Sequence, residues 1–170
     1  MAEQHCYTDA DGCRVCDEVP PTNGSPPRIE HNPVLGWNAS ANSVSVLNGN
    51  VRLTWRQPDP PTDAVLGLRA STQRGIGDTN PYGVLHGFRL LAAGAGHFAA
   101  VWDRGNEVSA RIPYTLDDVF EVSRVGGAVV YRINGREVHR STAATTAALI
   151  ATGCLYRSGD ALPSGCTEEA

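Results

Sequence analysis

The segment Ala128-Val129-Val130-Tyr131-Arg132-Ile133-Asn134-Gly135-Arg136-Glu137-Val138-His139-Arg140 decides the fold. A run rich in β-branched and aromatic residues leads into Asn134-Gly135, a pair that accepts positive φ at both positions and so favours a two-residue type I′ turn. Such a turn fixes the register. Ile133 then opposes Arg136, Tyr131 opposes Val138 and Val129 opposes Arg140 on one face; Arg132 opposes Glu137 and Val130 opposes His139 on the other. The face with Val129, Tyr131, Ile133 and Val138 is expected to be buried, and Arg132 and Glu137 to form an exposed ion pair of at most about 1 kcal/mol.

Outward from this hairpin, short strand-forming runs recur between turn signals every eight to twelve positions, the spacing of an all-β sandwich or barrel. In residues 51–55, Val51, Leu53 and Trp55 face one way while Arg52, Thr54 and Arg56 face the other. Further runs fall at 43–47, 64–71, 87–93, 97–103, 107–112, 119–125 and 150–156. With the two arms of the hairpin they make ten strands in two sheets. Residues 142–148 mix alanine with threonine and read as an irregular crossover.

Composition agrees. The chain has 170 residues, enough for one domain of ordinary size, with 18 glycines and 11 prolines against a single methionine. All 14 basic residues are arginine, which excludes lysine chemistry such as a Schiff base or a phosphate-loop lysine. The net charge of -4 sits in residues 1–33; beyond them acidic residues and arginines balance, leaving no basic surplus for nucleic acid or an anionic membrane. No basic start with an apolar run follows Met1, and no stretch reaches membrane-span length. Synthesis in a cytoplasm without a signal peptide is expected, with neither nucleic-acid binding nor membrane insertion.

Residues 1–33 read as an extended, acidic, proline-rich docking arm, residues 34–162 as the sandwich and 163–170 as a tail. Cys6, Cys13 and Cys16 cluster in the arm. The spacing Cys13-x-x-Cys16 would let two thiolates share a tetrahedral zinc, with Cys6 as third ligand and His5, His31 or Cys166 as fourth. A small disulfide loop and free thiols are the competing readings.

The order Tyr114-x-x-x-Asp118-Val119-Phe120-Glu121-Val122, then Gly126-Gly127-Ala128 through Asn134-Gly135, then Val138 and Ser141, resembles the back half of concanavalin A-like lectin/glucanase domains. Leu155-Tyr156-Arg157-Ser158-Gly159-Asp160 is similar to their final strand, and Gly36-Trp37-Asn38-Ala39-Ser40-Ala41-Asn42-Ser43 to their opening one. The resemblance implies an all-β, two-sheet antiparallel jelly roll and specifies fold more than activity. Small versions with an extra N-terminal segment resemble tailed-phage tail-tip and tail-fibre proteins.

A glucanase on this fold would need two carboxylates flanking the scissile bond, commonly as Glu-x-Asp-x-Glu, and the sequence has no such triplet. Asp117-Asp118 with Glu121 has the wrong spacing and reads as a solvated turn. The calcium and manganese loop that the resemblance would imply for a legume-type lectin has no counterpart here. A sugar would then need an exposed aromatic face flanked by hydrogen-bonding groups. Trp102, Asp103, Arg104 and Asn106 supply these at a turn, and Tyr82 is a second aromatic candidate.

The expectation is therefore a non-enzymatic virion protein of a phage tail, without a cofactor unless zinc sits at the arm cysteines. It would dock on other tail proteins through residues 1–33, assemble as a homo-oligomer within the particle and contact host surface glycans. A glycan-processing enzyme or a free bacterial lectin of the same fold is the alternative.

Overall fold

The structure, a computed structural model, describes residues 4–8, 14–18, 39–43, 46–57, 63–73, 80–93, 96–142, 145–156 and 165–169. The chain folds as two antiparallel sheets packed face to face in a jelly roll, with a separate two-stranded ribbon. The ribbon is β1 (Gln4–Thr8) with β2 (Arg14–Glu18). The remaining strands, in chain order, are β3 (Ala39–Asn42), β4 (Val51–Trp55), β5 (Ala64–Ala70), β6 (His86–Ala93), β7 (Gly96–Asp103), β8 (Asn106–Glu107), β9 (Ile112–Pro113), β10 (Phe120–Val125), β11 (Ala128–Ile133), β12 (Arg136–Arg140), β13 (Leu149–Leu155) and β14 (Gly165–Glu169). One sheet runs β12-β11-β10-β4-β14; the other runs β3-β13-β5-β6-β7-β8, with β9 also on β7. Among the described residues helix is confined to two three-residue 3-10 turns, and none is long and apolar enough to cross a membrane.

The hairpin turns where expected. Asn134 has φ 53° and Gly135 φ 75°, the positive values a type I′ turn needs at both positions. Asn134 also ties the turn down: its amide oxygen accepts from the Val119 N–H at 2.9 Å and its amide nitrogen donates to Asp118 at 2.7 Å. That bond and one from the Thr115 N–H hold the Asp118 carboxyl below its usual range. Asp118 thus serves a turn.

The register beyond the turn differs from expectation. Ile133 opposes Arg136 and Arg132 opposes Glu137, but the ladder shifts after Arg132, so that Tyr131 faces His139 and Val130 faces Arg140. Val138 is the extra residue of this bulge, and the bulge keeps it packed against the core. Arg132 bonds Glu121 of β10, its register partner on the other side, and Ser123 at 2.8 Å, while Glu137 pairs with Arg140 at 2.8 Å. The expected Arg132–Glu137 pair is therefore replaced by two others. Arg132 sits between two strands, and the inner one offers a less exposed carboxylate.

Three further boundaries are corrected. Of the run at 43–47, residues 44 and 45 fall outside the described residues; β3 ends before it, at Asn42, and Leu47 makes an isolated bridge to Leu149. The run at 107–112 is broken into β8 and β9, because the Ser109 hydroxyl takes the Val101 N–H at 2.8 Å and interrupts the backbone ladder. The tail contributes β14, which pairs with β4 and sets Glu168 opposite Arg52. In the arm, β1 and β2 pair with each other.

The core lies between the sheets. Val51, Leu53 and Trp55 are buried as their alternation requires, and Trp55 stacks on Phe120 with ring centroids 5.7 Å apart. Phe88 meets Phe120 edge-on at 5.2 Å and Tyr131 at 5.8 Å, joining the two sheets through aromatic contacts worth roughly 0.5–1.5 kcal/mol each beyond their area burial. Arg124 is buried too, its guanidinium donating to the carbonyls of Gly49 and Ala147 and so holding the crossover against β10.

Gly67 and Gly87 are register partners in β5 and β6. A Cβ on Gly67 would lie 2.0 Å from the His86 carbonyl oxygen and 2.5 Å from the Gly87 Cα. Both obstacles are backbone, so the strands would have to separate. Gly67→Ala is expected to lower unfolding free energy by about 2 kcal/mol or more, read from urea denaturation; an unchanged midpoint would refute the close approach.

Candidate functional site

The pleat of β7 splits the residues that the sequence groups as one sugar site. Successive side chains of a strand point to opposite faces, so Trp102 projects to the outer face of the larger sheet and Asp103 into the core. Trp102 is 5% exposed, packs with Val65, Val84 and Cys154, and donates its indole N–H to the Val84 carbonyl at 3.1 Å. Asp103, also 5% exposed, is committed internally. Neither presents itself to a ligand as expected; strand alternation decides both.

What covers Trp102 is Tyr82. Asn80 caps the 3-10 turn Pro81–Gly83, its side chain accepting from the Tyr82 N–H at 3.0 Å. The Tyr82 ring lies 6.0 Å from that of Trp102, tilted by 36°, and is 68% exposed. From below, the buried Arg69 guanidinium donates to the Asn80 carbonyl at 3.2 Å. The β7–β8 turn seats against the same segment: Gly105, at φ 78°, has room for no Cβ, which would meet the Tyr82 carbonyl oxygen at 2.8 Å. Arg104, with φ 50°, is 60% exposed and holds its Nε 4.0 Å from the Asp103 carboxylate, and Asn106 closes the turn by donating to the Arg104 carbonyl at 3.0 Å.

Sequence reasoning missed Glu107. It is the register partner of Trp102 and so shares the outer face, with the Arg89 guanidinium 3.5 Å from its carboxylate. The face thus combines an exposed phenol with a carboxylate and its paired arginine, Arg89, around a buried indole. The signal was present in β7–β8 as a two-residue turn followed by Glu107, but it is legible only once the register is known.

Behind this face lies a buried polar centre. Asp103 accepts from the Tyr131 hydroxyl at 2.9 Å, from His86 Nδ1 at 2.9 Å and from the Ser141 hydroxyl at 2.8 Å. Burial and the Asp103 charge raise the Tyr131 phenol, which stays a donor. His86 is lowered from 6.5, chiefly by burial; Asp103 opposes this, and Arg124 and Arg104 add to it. Buried on every side, the centre holds the two sheets together and cannot receive a substrate.

A cleft of about 290 Å³ opens between the sheets where Leu53 and Trp55 face Leu66 and Ala151. Its described lining holds no acid or base and shares no residue with the Tyr82 face. Cys6 and Cys16 are register partners in the ribbon, whereas Cys13 and His31 fall outside the described residues. Among the described residues no group of three His, Cys, Asp or Glu side chains could hold a metal ion.

No family model and no curated protein matches the chain. Similar solved structures include the alginate lyase from Corynebacterium sp., at 10% identity and TM-score 0.41, over 77% of this chain and 63% of that one. Alginate lyase A1-II', a member of polysaccharide lyase family-7, aligns over 100% of this chain and 86% of that one at 13% identity and TM-score 0.33. The kappa-carrageenase from Pseudoalteromonas carrageenovora aligns over 98% and 74% at 12% and 0.35. The chain spans less than two thirds of the Corynebacterium enzyme.

These relatives in shape are polysaccharide-cleaving enzymes, and no phage link comes with them. The expectation of a non-enzymatic, lectin-like virion protein is corrected in one respect: these similar solved structures are enzymes, and none of them is a phage protein. At such identities and TM-scores the likeness assigns no activity and no residue role to this chain.

The lowered His86 value has a signed consequence. As pH falls below about 6.5 the unfolded chain binds a proton at this residue before the folded chain does, so stability is lost with acid. The urea midpoint is expected to drop between pH 7.5 and 5.5, and His86→Gln to flatten that drop. An equal slope in the variant would show that His86 is not its source.

Proposed function

We propose that this chain is a glycan-processing protein that engages its polysaccharide on the Tyr82 face, with Glu107 as the group that moves the proton. The observation that carries this reading is the placement of Glu107 opposite Trp102, on the face that Tyr82 covers. An exposed aromatic ring takes the apolar side of a pyranose, and guanidinium groups bond its hydroxyl or acidic substituents. Arg89, beside Glu107 on this face, can bond an acidic substituent of the polysaccharide. A carboxylate placed against the substrate can serve as a general base.

The test is release of new chain ends from neutral and acidic polysaccharides, read both as reducing sugar and as ultraviolet absorbance of unsaturated ends. Glu107→Gln is expected to lower turnover about 100-fold, and Tyr82→Ala about 10-fold through weaker binding worth roughly 1 kcal/mol, both with an unchanged circular dichroism spectrum. Silence of the unaltered protein on all substrates, or full activity of Glu107→Gln, would overturn the reading.

A further inference from the structure

The N-terminal ribbon sets Cys6 directly opposite Cys16. Residues directly opposed in an antiparallel pair have Cα atoms about 4.5 or 5.5 Å apart. A disulfide spans about 4.4–6.8 Å between Cα atoms. Both spacings fall within that range. We propose that Cys6 and Cys16 form a disulfide across the ribbon and close β1–β2 into a covalent hairpin.

The ribbon's sequence leaves few other sources of order. A two-stranded hairpin is marginal by itself in water, and here Gln4 opposes Glu18, His5 opposes Asp17 and Thr8 opposes Arg14, with Tyr7 and Val15 as the one apolar pair beside the cysteines. Small elements without a core depend on a staple. The register also discriminates among thiols. The Cys13-x-x-Cys16 spacing suggests a bond or metal within the motif, but the ladder gives Cys16 a partner ten residues before it, at Cys6, beyond Cys13. Cys154 is buried in the sandwich beside Arg69, and Cys166 is a register partner of Thr54 in a different sheet.

Oxidation removes two protons and two electrons from the two thiols and forms one S–S bond. A low-molecular-weight disulfide such as oxidised glutathione accepts them and leaves as two thiols. The disulfide and the zinc reading exclude each other, since each needs both sulfurs.

The experiment uses the full chain equilibrated with oxidised and reduced glutathione, free thiols trapped with N-ethylmaleimide, and trypsin cleavage after Arg14, which separates Cys6 and Cys13 from Cys16. The peptides on the two sides are expected to remain joined, two hydrogens lighter than their sum, and to separate on reduction. The join should persist in Cys13→Ser and be lost in Cys6→Ser, with tryptophan fluorescence of the sandwich unchanged in both. Three results would overturn the proposal: a join lost in Cys13→Ser but kept in Cys6→Ser, complete alkylation of Cys6 and Cys16 under oxidising glutathione, or stoichiometric zinc on the unjoined chain.

Discussion

One carboxylate joins the two layers of this protein. His86 and Asp103 come from the larger sheet, Tyr131 from the smaller one and Ser141 from the chain leaving β12, and their polar atoms converge on the Asp103 oxygens. A charge this deeply buried is tolerated only when its hydrogen-bonding capacity is used, and removing one partner costs more than the bond itself because the rest is left unsatisfied. The aromatic contacts of Phe88 with Tyr131 and Phe120 supply non-directional attraction around it; the carboxylate supplies the direction. It fixes how β7 and β11 face one another.

The candidate site depends on that constraint through a single strand. Because Asp103 is held inward, Trp102 must point outward, and the turn at Arg104 and Gly105 returns the chain so that Glu107 pairs opposite Trp102. Trp102 then forms the floor on which Tyr82 rests, and Arg69 fastens the Tyr82 segment from beneath. Fold and ligand face are alternate residues of one β7 strand. A change that loosens the interior at Asp103 would therefore disturb the exterior as well.

Much of this was legible from residue order. Asn134-Gly135 located a turn, the alternation of Val51, Leu53 and Trp55 located a buried face, and the bounds of β11 and β12 follow from composition alone. The register shift at Tyr131 was not legible, because a bulge answers to packing of Val138 and to a carboxylate on β10, neither of which is local. β14 was hidden for a similar reason: two consecutive glutamates look like a solvated tail until a partner strand places Arg52 across from one of them. The site was half legible. Tyr82 and Arg104 are exposed, whereas Trp102 and Asp103, chosen with Arg104 as an aromatic and its flanking polar groups in one short stretch, are sent by the pleated strand in opposite directions and buried. Glu107 needed cross-strand pairing to be seen at all.

The bulge in the hairpin also bears on how the molecule behaves in a crowd. β12 is an outer strand, and an outer strand with free backbone groups invites a neighbouring copy to add its own. Here the shifted ladder breaks its regular spacing, and Arg136, Glu137 and Arg140 line it with charge. At the opposite border of the other sheet, β8 is two residues long, too short to template a newcomer. Irregularity and charge at these margins favour solubility over polymerisation, so the same departure from ideal pairing that upset the hairpin's register guards it against growth into fibres.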